Sequence, residues 1–202
     1  MSNSYETRDI AKSCGSVRPA DHAAAGDVAL ADDLLRANER YVAAFEASGL
    51  TTRPRRRLAV LTCMDSRYTA QGVLGLTLGD AHVIRNAGGR ATDDTIRSLT
   101  LSAAVLGTRG CIVIHHSECG LLGRSEDELA TAVEAVAGAR PPFAYLPFTD
   151  LAQSVRDDVA ALRACPYFPP DYEVVGFTYD VHTGCLDLVD AGQGPTGAAP
   201  RA

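Results

Sequence analysis

The sequence predicts an α/β fold in which a mostly parallel central β-sheet is flanked by helices and carries an antiparallel strand at one edge. Short apolar runs bounded by glycine or polar residues are typical of buried parallel strands, and they occur at residues 58–62, 81–85, 111–115 and 173–177. Segments of helical periodicity lie between them. A turn at Thr183-Gly184 leads into a fifth strand, predicted at residues 185–189 as the antiparallel edge.

Four helices are predicted from apolar periodicity and from residues that start and stop helices. The first carries an apolar stripe that includes Leu34, Tyr41 and Phe45. Small polar residues precede the four helices and can accept hydrogen bonds from the first turn: Asp27, Thr92, Ser125 and Thr149. Glycine or proline ends three of them: Gly49, Gly107 and Pro166.

Length and composition predict one globular domain. The chain has 202 residues, of which 46% are apolar and 22% charged. We expect a single α/β domain over residues 27–190, preceded by a flexible arm (1–26) and followed by a disordered tail (191–202). A net charge of −6 argues against nucleic acid or an anionic membrane surface as a partner.

A cytoplasmic location is expected, because the sequence contains neither a secretory signal nor an apolar run of the roughly 18 residues that a spanning helix needs. Six cysteines in such a compartment would be reduced, which favours metal ligation or burial over disulfides.

Two motifs follow predicted strands and suggest a metal site. Cys63 comes directly after the first strand, and His116 and Cys119 follow the third. The carboxyl ends of parallel strands are where ligands collect. Two thiolates and one imidazole suit a tetrahedral zinc ion with one open position. The alternative is that these are unrelated buried residues. His115 competes with His116, since neighbouring strand residues face opposite sides and spacing alone does not choose between them.

An acid and a base lie beside the first cysteine. Asp65 and Arg67 project to the same side as Cys63 in an extended segment, so Arg67 can reach the carboxylate of Asp65 with two hydrogen bonds. Asp65 could be a fourth ligand or an acceptor from a nucleophile at the open position. We expect Arg67 to favour the second role, because it holds Asp65 away from the ion.

These residues resemble a known family signature. The run from Cys63 to Arg67, the run from His116 to Gly120 and the intervening Arg85-Asn86-Ala87-Gly88 segment are similar to the β-class carbonic anhydrases, in particular a compact bacterial branch with mycobacterial members. The resemblance extends over residues 28–190. It implies that His116, and not His115, is the ligand.

The resemblance also implies an activity. It suggests zinc-dependent reversible hydration of carbon dioxide to bicarbonate and a proton through zinc-bound hydroxide. Zinc would be held by Cys63, His116 and Cys119, with Asp65 and Arg67 catalytic. The backbone of a short segment would line the substrate pocket: Ala87, Gly88 and Gly89. A homodimer or homotetramer is implied as well.

Two other functions remain open at this point. Resembling proteins hydrolyse carbonyl sulfide or carbon disulfide on the same scaffold, and a zinc protein with a closed structural or regulatory site would use the same ligands. His82 and His182 are candidate proton shuttles, although a single histidine on a strand is more often a core residue.

Overall fold

The computed structural model describes residues 25–46 and 49–191, which fall into two units that divide before Gly49. The first unit contains one helix, α1 (Ala25–Ala43). The helix begins before Asp27, so the predicted cap lies in its first turn, and it ends six residues before Gly49. Large apolar side chains of this unit are exposed: Leu34, Leu35, Tyr41, Val42 and Phe45.

The second unit is built around a five-stranded sheet, as predicted. Its strands are β1 (Leu58–Cys63), β2 (Ala81–Asn86), β3 (Gly110–His116), β4 (Glu173–Tyr179) and β5 (Leu186–Asp190). The order across the sheet is β2-β1-β3-β4-β5. The first four strands are parallel, and β5 pairs antiparallel with β4. The predicted fold class is confirmed.

Four helices accompany the sheet: α2 (Ala70–Leu74), α3 (Asp93–Ala104), α4 (Glu126–Ala137) and α5 (Leu151–Ala164). Thr92 caps α3, and Ser125 forms a capping box with Glu128 at α4, as predicted. The cap of α5 is Asp150, one residue after the predicted Thr149. The sequence did not predict α2, because five residues are too few to show a helical period.

The strands separate two apolar clusters, since successive side chains point to opposite faces. Ala59 and Leu61 of β1 pack with residues of α3 and α5 on one face, including Leu99 and Val155. Val60 packs on the other face with residues of the α2 region. Residues on both faces are fully buried. The strands are therefore packed on both faces up to the residues that precede the candidate site.

Within residues 25–46 and 49–191, no helix has the length and apolar character needed to cross a bilayer. Apart from residues 25, 26 and 191, the predicted arm and tail lie outside the described part of the chain, so these boundaries stay predictions.

Candidate metal centre

Three potential metal ligands meet at the carboxyl ends of neighbouring strands. Cys63 is the last residue of β1, His116 is the last residue of β3, and Cys119 lies in the turn that follows. Two sulfurs and one imidazole nitrogen lie within 4.8 Å of one another, and all three residues are buried. Cys63 is distant in sequence from the other two residues, and the parallel pairing of β1 with β3 sets the ends of their strands side by side.

The imidazole of His116 presents an unused nitrogen to this cluster. Nδ1 lies 2.8 Å from the carbonyl oxygen of Ser117, so it can donate there and leave a lone pair on Nε2. Nε2 is buried and has no hydrogen-bond partner. Among the described residues, the hydroxyl of Tyr172 is the other buried side-chain atom in this condition. A buried acceptor without a donor needs an explanation, and a cation is one.

His115 is used differently. Its Nδ1 lies 2.7 Å from the hydroxyl of Ser154, and its Nε2 lies 3.2 Å from the carbonyl oxygen of Gly89 and 3.1 Å from the carboxylate of Asp158. The ring stacks on Phe148. Both nitrogens of His115 therefore have protein partners, whereas His116 faces the cysteines.

The two thiols titrate as a pair. The Cys119 thiol hydrogen-bonds to the sulfur of Cys63 and holds the pKa of Cys63 well below its usual range. The neighbouring His116 ring and the backbone N–H groups of Asp65 and Gly88 add to this lowering of the Cys63 pKa. The pKa of Cys119 is raised, because its proton is shared with that ionised sulfur. Cys63 is thus the first of the two to become a thiolate, the form that binds metals.

Asp65 and Arg67 form a two-pronged ion pair beside the cluster. Arg67 Nε and Nη2 donate to the two carboxylate oxygens at 3.0 and 2.9 Å, and the backbone N–H of Arg67 donates to Oδ1 at 2.9 Å. These hydrogen bonds lower the pKa of Asp65 to about 2. One oxygen of Asp65 lies 3.8 Å from Nε2 of His116. An ionised acceptor is thereby fixed next to the unused imidazole nitrogen.

Two residues of the quoted motifs, to whose side chains the sequence analysis gave no role, hold this segment. Arg85 Nε donates to the carbonyl oxygen of Cys63 at 2.8 Å, and Arg85 Nη2 donates to that of Asp65. Glu118 accepts from Arg67 on the other side. For Arg85, the signal was the register of β1 with β2, which places Thr62 beside Arg85. Nothing local in the sequence indicated Glu118.

The segment with Ala87, Gly88 and Gly89 forms a 3₁₀ turn against the ends of β1 and β3. Gly89 has φ of 72°, and a Cβ there would lie 3.0 Å from the backbone nitrogen of Cys63 and 3.1 Å from the carbonyl oxygen of Ile114. Glycine is required for this approach.

The surroundings of the cysteines are largely apolar. Leu121 and Phe148 are buried against Cys63 and Cys119, and Ala87 and Leu122 pack on the same cluster. Such a lining suits a small uncharged substrate.

The candidate proton shuttles lie in different places. His82 is near the start of β2, away from the cluster, and its two nitrogens lie close to the Ser102 hydroxyl and the carbonyl oxygen of Thr52. His182 is exposed in the β4–β5 turn and contacts Glu118.

The residues present fit a zinc ion. Thiolate sulfur and neutral imidazole are the donors that zinc prefers, and in this set the buried Nε2 of His116 has no hydrogen-bond partner. Three protein donors match the ligand number of catalytic zinc sites, and Arg67 holds the carboxylate of Asp65 beside them.

Known proteins with similar sequences and structures include carbonic anhydrases. A family model described as carbonic anhydrase matches residues 58–138. β-Carbonic anhydrase 1 of Mycobacterium tuberculosis is 37% identical over 158 residues, covering 78% of this chain and 96% of the relative. A carbonic anhydrase structure from Streptococcus mutans superposes with a TM-score of 0.75 and is 42% identical, over 79% of this chain and 96% of that one.

The chain is also similar to an enzyme that acts on a different substrate. The carbon disulfide hydrolase of an Acidianus species is 35% identical over 153 residues, covering 63% of this chain and 74% of the relative. The mostly parallel sheet and the Cys-His-Cys cluster define a class of α/β proteins with a candidate metal site at the strand ends. Within that class, this chain belongs to the β-carbonic anhydrase family.

Proposed function

We propose that the chain catalyses the reversible hydration of carbon dioxide to bicarbonate and a proton, with a zinc ion held by Cys63, His116 and Cys119. The observation that carries the proposal is the buried, unpaired Nε2 of His116, which lies beside two sulfurs and 3.8 Å from an ionised carboxylate. Membership of the family supports the same reaction.

When bound, zinc supplies a Lewis acid that makes a coordinated water acidic, an effect for which carbonic anhydrase is the standard example. Asp65 accepts the hydrogen of the attacking oxygen nucleophile and so directs a lone pair at the carbon of carbon dioxide. It can only accept, because its pKa of about 2 keeps it ionised. Arg67 fixes the carboxylate by two hydrogen bonds and keeps it from moving toward the ion.

The space next to Cys63 is where carbon dioxide would bind and react. The backbone of Ala87, Gly88 and Gly89 lines the space next to Cys63, and the neighbouring apolar side chains bind the uncharged substrate without a competing charge. One carbon–oxygen σ bond forms while the electron pair of one C=O π bond of carbon dioxide moves onto oxygen. Bicarbonate departs, and the proton that water loses passes to solvent. Carbon dioxide is poorly hydrated, so an apolar pocket favours it over water.

The proposal includes a homodimer or homotetramer in the cytoplasm. Large apolar side chains are exposed along α1 and just after it, and they support an assembly, since exposed apolar patches of this kind mark contacts with other chains: Leu34, Leu35, Tyr41, Val42 and Phe45.

Stopped-flow measurement of carbon dioxide hydration tests the proposal, with zinc per chain measured on the same sample. We expect one zinc per chain and a rate at least ~10³-fold above that of Cys63→Ser, which should bind little zinc. Full zinc occupancy in Cys63→Ser would show that the ligand assignment is wrong.

Carbon disulfide or carbonyl sulfide hydrolysis is the second candidate, favoured by the similarity to the Acidianus enzyme. Both substrates are linear and electrophilic at carbon, so the same residues could act on them. Sulfide release is therefore measured beside hydration. Negligible hydration with rapid sulfide release would replace the first proposal by the second.

A further inference from the structure

Glu118 lies between two of the proposed ligands and has an unusual backbone. It follows His116 by two residues and precedes Cys119, and its φ is 54°. A non-glycine residue in this left-handed region is strained. Such strain persists only where surrounding contacts hold the residue in place, so the contacts of Glu118 are informative.

The carboxylate of Glu118 bridges two side chains. Oε2 accepts from Arg67 Nη1 at 2.9 Å, and Oε1 lies 2.9 Å from Nε2 of His182. The backbone carbonyl oxygen of Glu118 accepts from Arg67 Nη2 at 3.1 Å. Glu118 therefore contacts the guanidinium twice, once through its side chain and once through the carbonyl that its left-handed backbone presents.

The guanidinium of Arg67 is consequently held from two sides. Nε and Nη2 face Asp65, while Nη1 and Nη2 face Glu118. With Asp65 alone, the guanidinium and carboxylate could rotate together as a pair, because Arg67 has a long and flexible side chain. The second carboxylate removes that freedom, since all three guanidinium nitrogens then have fixed acceptors.

The segment that carries His182 is fastened to the same place. The backbone N–H of Val181 donates to the hydroxyl of Ser117 at 3.0 Å, and the N–H of Ser117 donates to the carbonyl oxygen of Tyr179 at 2.9 Å. The N–H of His182 donates to Asp180 at 2.7 Å. The β4–β5 turn thus brings His182 to Glu118 through backbone contacts that do not depend on the histidine ring.

We propose that Glu118 and His182 are positioning residues, which act through Arg67 to fix the carboxylate of Asp65 in the orientation that the reaction needs. Glu118 makes the principal contact, and His182 orients Glu118 by occupying its second oxygen. Neither residue touches the substrate. The inference rests on the proposed function, because the orientation of Asp65 matters only if Asp65 accepts from the nucleophile.

The test compares variants in the zinc-loaded protein. Glu118→Ala removes both side-chain contacts, whereas Glu118→Gln keeps an oxygen for one of them. Glu118→Gly removes the side chain but suits a φ of 54°, and so separates backbone strain from the carboxylate. His182→Ala and His182→Gln test the contact between His182 and Glu118 in the same way. Asp171→Ala, which breaks an exposed ion pair with Arg109, is the control.

Four quantities are measured: kcat and KM for carbon dioxide hydration, zinc per chain, and the hydrogen-exchange rate of the Arg67 Nε–H group by NMR. We expect Glu118→Ala and Glu118→Gly to lower kcat by about fivefold to tenfold, with KM and zinc content within twofold of wild type, since positioning affects the chemical step. Arg67 Nε–H exchange should accelerate in both variants.

The rescue variants sharpen the result. Glu118→Gln should recover most of kcat, and His182→Ala should lower it about twofold, with recovery in His182→Gln. The double variant Glu118→Ala/His182→Ala should be no slower than Glu118→Ala, because both residues act through one contact. Asp171→Ala should change nothing.

Unchanged kcat and unchanged Arg67 exchange in Glu118→Ala would overturn the inference. So would wild-type activity in Glu118→Gly, since the carboxylate would then be dispensable. If Glu118→Ala does not fold, kcat and Arg67 exchange in the variants of the exposed His182 and in Glu118→Gln still test whether these residues position Arg67. Should the wild-type chain hydrate no carbon dioxide, the proposed function fails, but accelerated Arg67 exchange would still show that Glu118 holds the guanidinium.

Discussion

The two faces of the sheet at the end of β3 carry the same residue type with opposite outcomes. His115 and His116 are adjacent and fully buried. On one face, both nitrogens of His115 have protein partners in Ser154, Gly89 and Asp158. On the other, His116 leaves Nε2 unpaired beside two sulfurs. Burial alone does not distinguish a structural histidine from a candidate ligand. The distinction is whether every polar atom is satisfied.

Replacing each histidine in turn gives the largest expected contrast. His116→Ala should reduce zinc to less than about a tenth of an ion per chain and lower carbon dioxide hydration by ~10³-fold or more, because a proposed ligand is lost. His115→Ala should keep zinc at wild-type stoichiometry when it is folded. Metal analysis and stopped-flow assays provide the measurement. Zinc lost from His115→Ala and retained in His116→Ala would reverse the comparison.

A second contrast lies within the His116 face. Asp65→Ala should keep zinc and lose activity by about 10²-fold, because the acceptor for the nucleophile is gone while the three proposed ligands remain. Zinc content and kcat are measured together. Asp65→Asn, which keeps the shape but loses the ionic pairing with Arg67, should be similarly slow. Loss of most of the zinc from Asp65→Ala would favour a structural metal site in which Asp65 is the fourth ligand.

Substitution of His115 should lower the stability of the fold. His115→Ala deletes a buried ring and leaves Asp158 and Ser154 short of partners, so we expect the free energy of unfolding in urea to fall by about 3 kcal/mol. His182→Ala, at an exposed site, should change it by less than about 0.5 kcal/mol. A stable His115→Ala variant would mean that the network around Asp158 contributes little to the fold.

The smallest effect concerns pH. The pKa of Asp65 is lowered to about 2 from an unfolded value near 3.9. Because the pKa of Asp65 is lower in the folded chain, this group stabilises the folded state at any pH above its unfolded-state pKa. The stabilisation is lost as the pH falls from about 4 toward 2. A ¹³C NMR titration of the carboxyl group measures the pKa. In Arg67→Ala it should rise toward its ordinary value, and an unchanged pKa would mean that Arg67 is not its cause.

The fold followed from local sequence features to a large extent. Buried parallel strands are continuous apolar runs, and the caps at Thr92 and Ser125 fix where two helices begin. The observed strands β3 and β4 extend beyond the predicted runs, to His116 and Tyr179, because hydrogen bonding continues into polar residues that hydropathy does not mark. The first helix was misplaced at both ends, since its cap and stop residues lie inside and beyond it.

The candidate site followed from the sequence only in part. Spacing and strand ends indicated which cysteines approach one another, but not which histidine joins them. Pairing of β1 with β3 stops at Thr62 and Ile114, and continuing that register would set Cys63 beside His115. The choice of His116 depends on how the chain departs from the ladder after it ends. Arg85 and Glu118 were missed for the same reason, because their contacts with the site are tertiary.

Gly89 restricts which sequence changes this protein can accept. The residue has no side chain, yet its backbone lies against Cys63 and Ile114, which belong to the two strands that end in proposed ligands. Any replacement adds a carbon atom at a point where only backbone atoms could give way. A single mutation there would displace both strands together, so natural variants at position 89 should be eliminated as strictly as variants of the cysteines themselves.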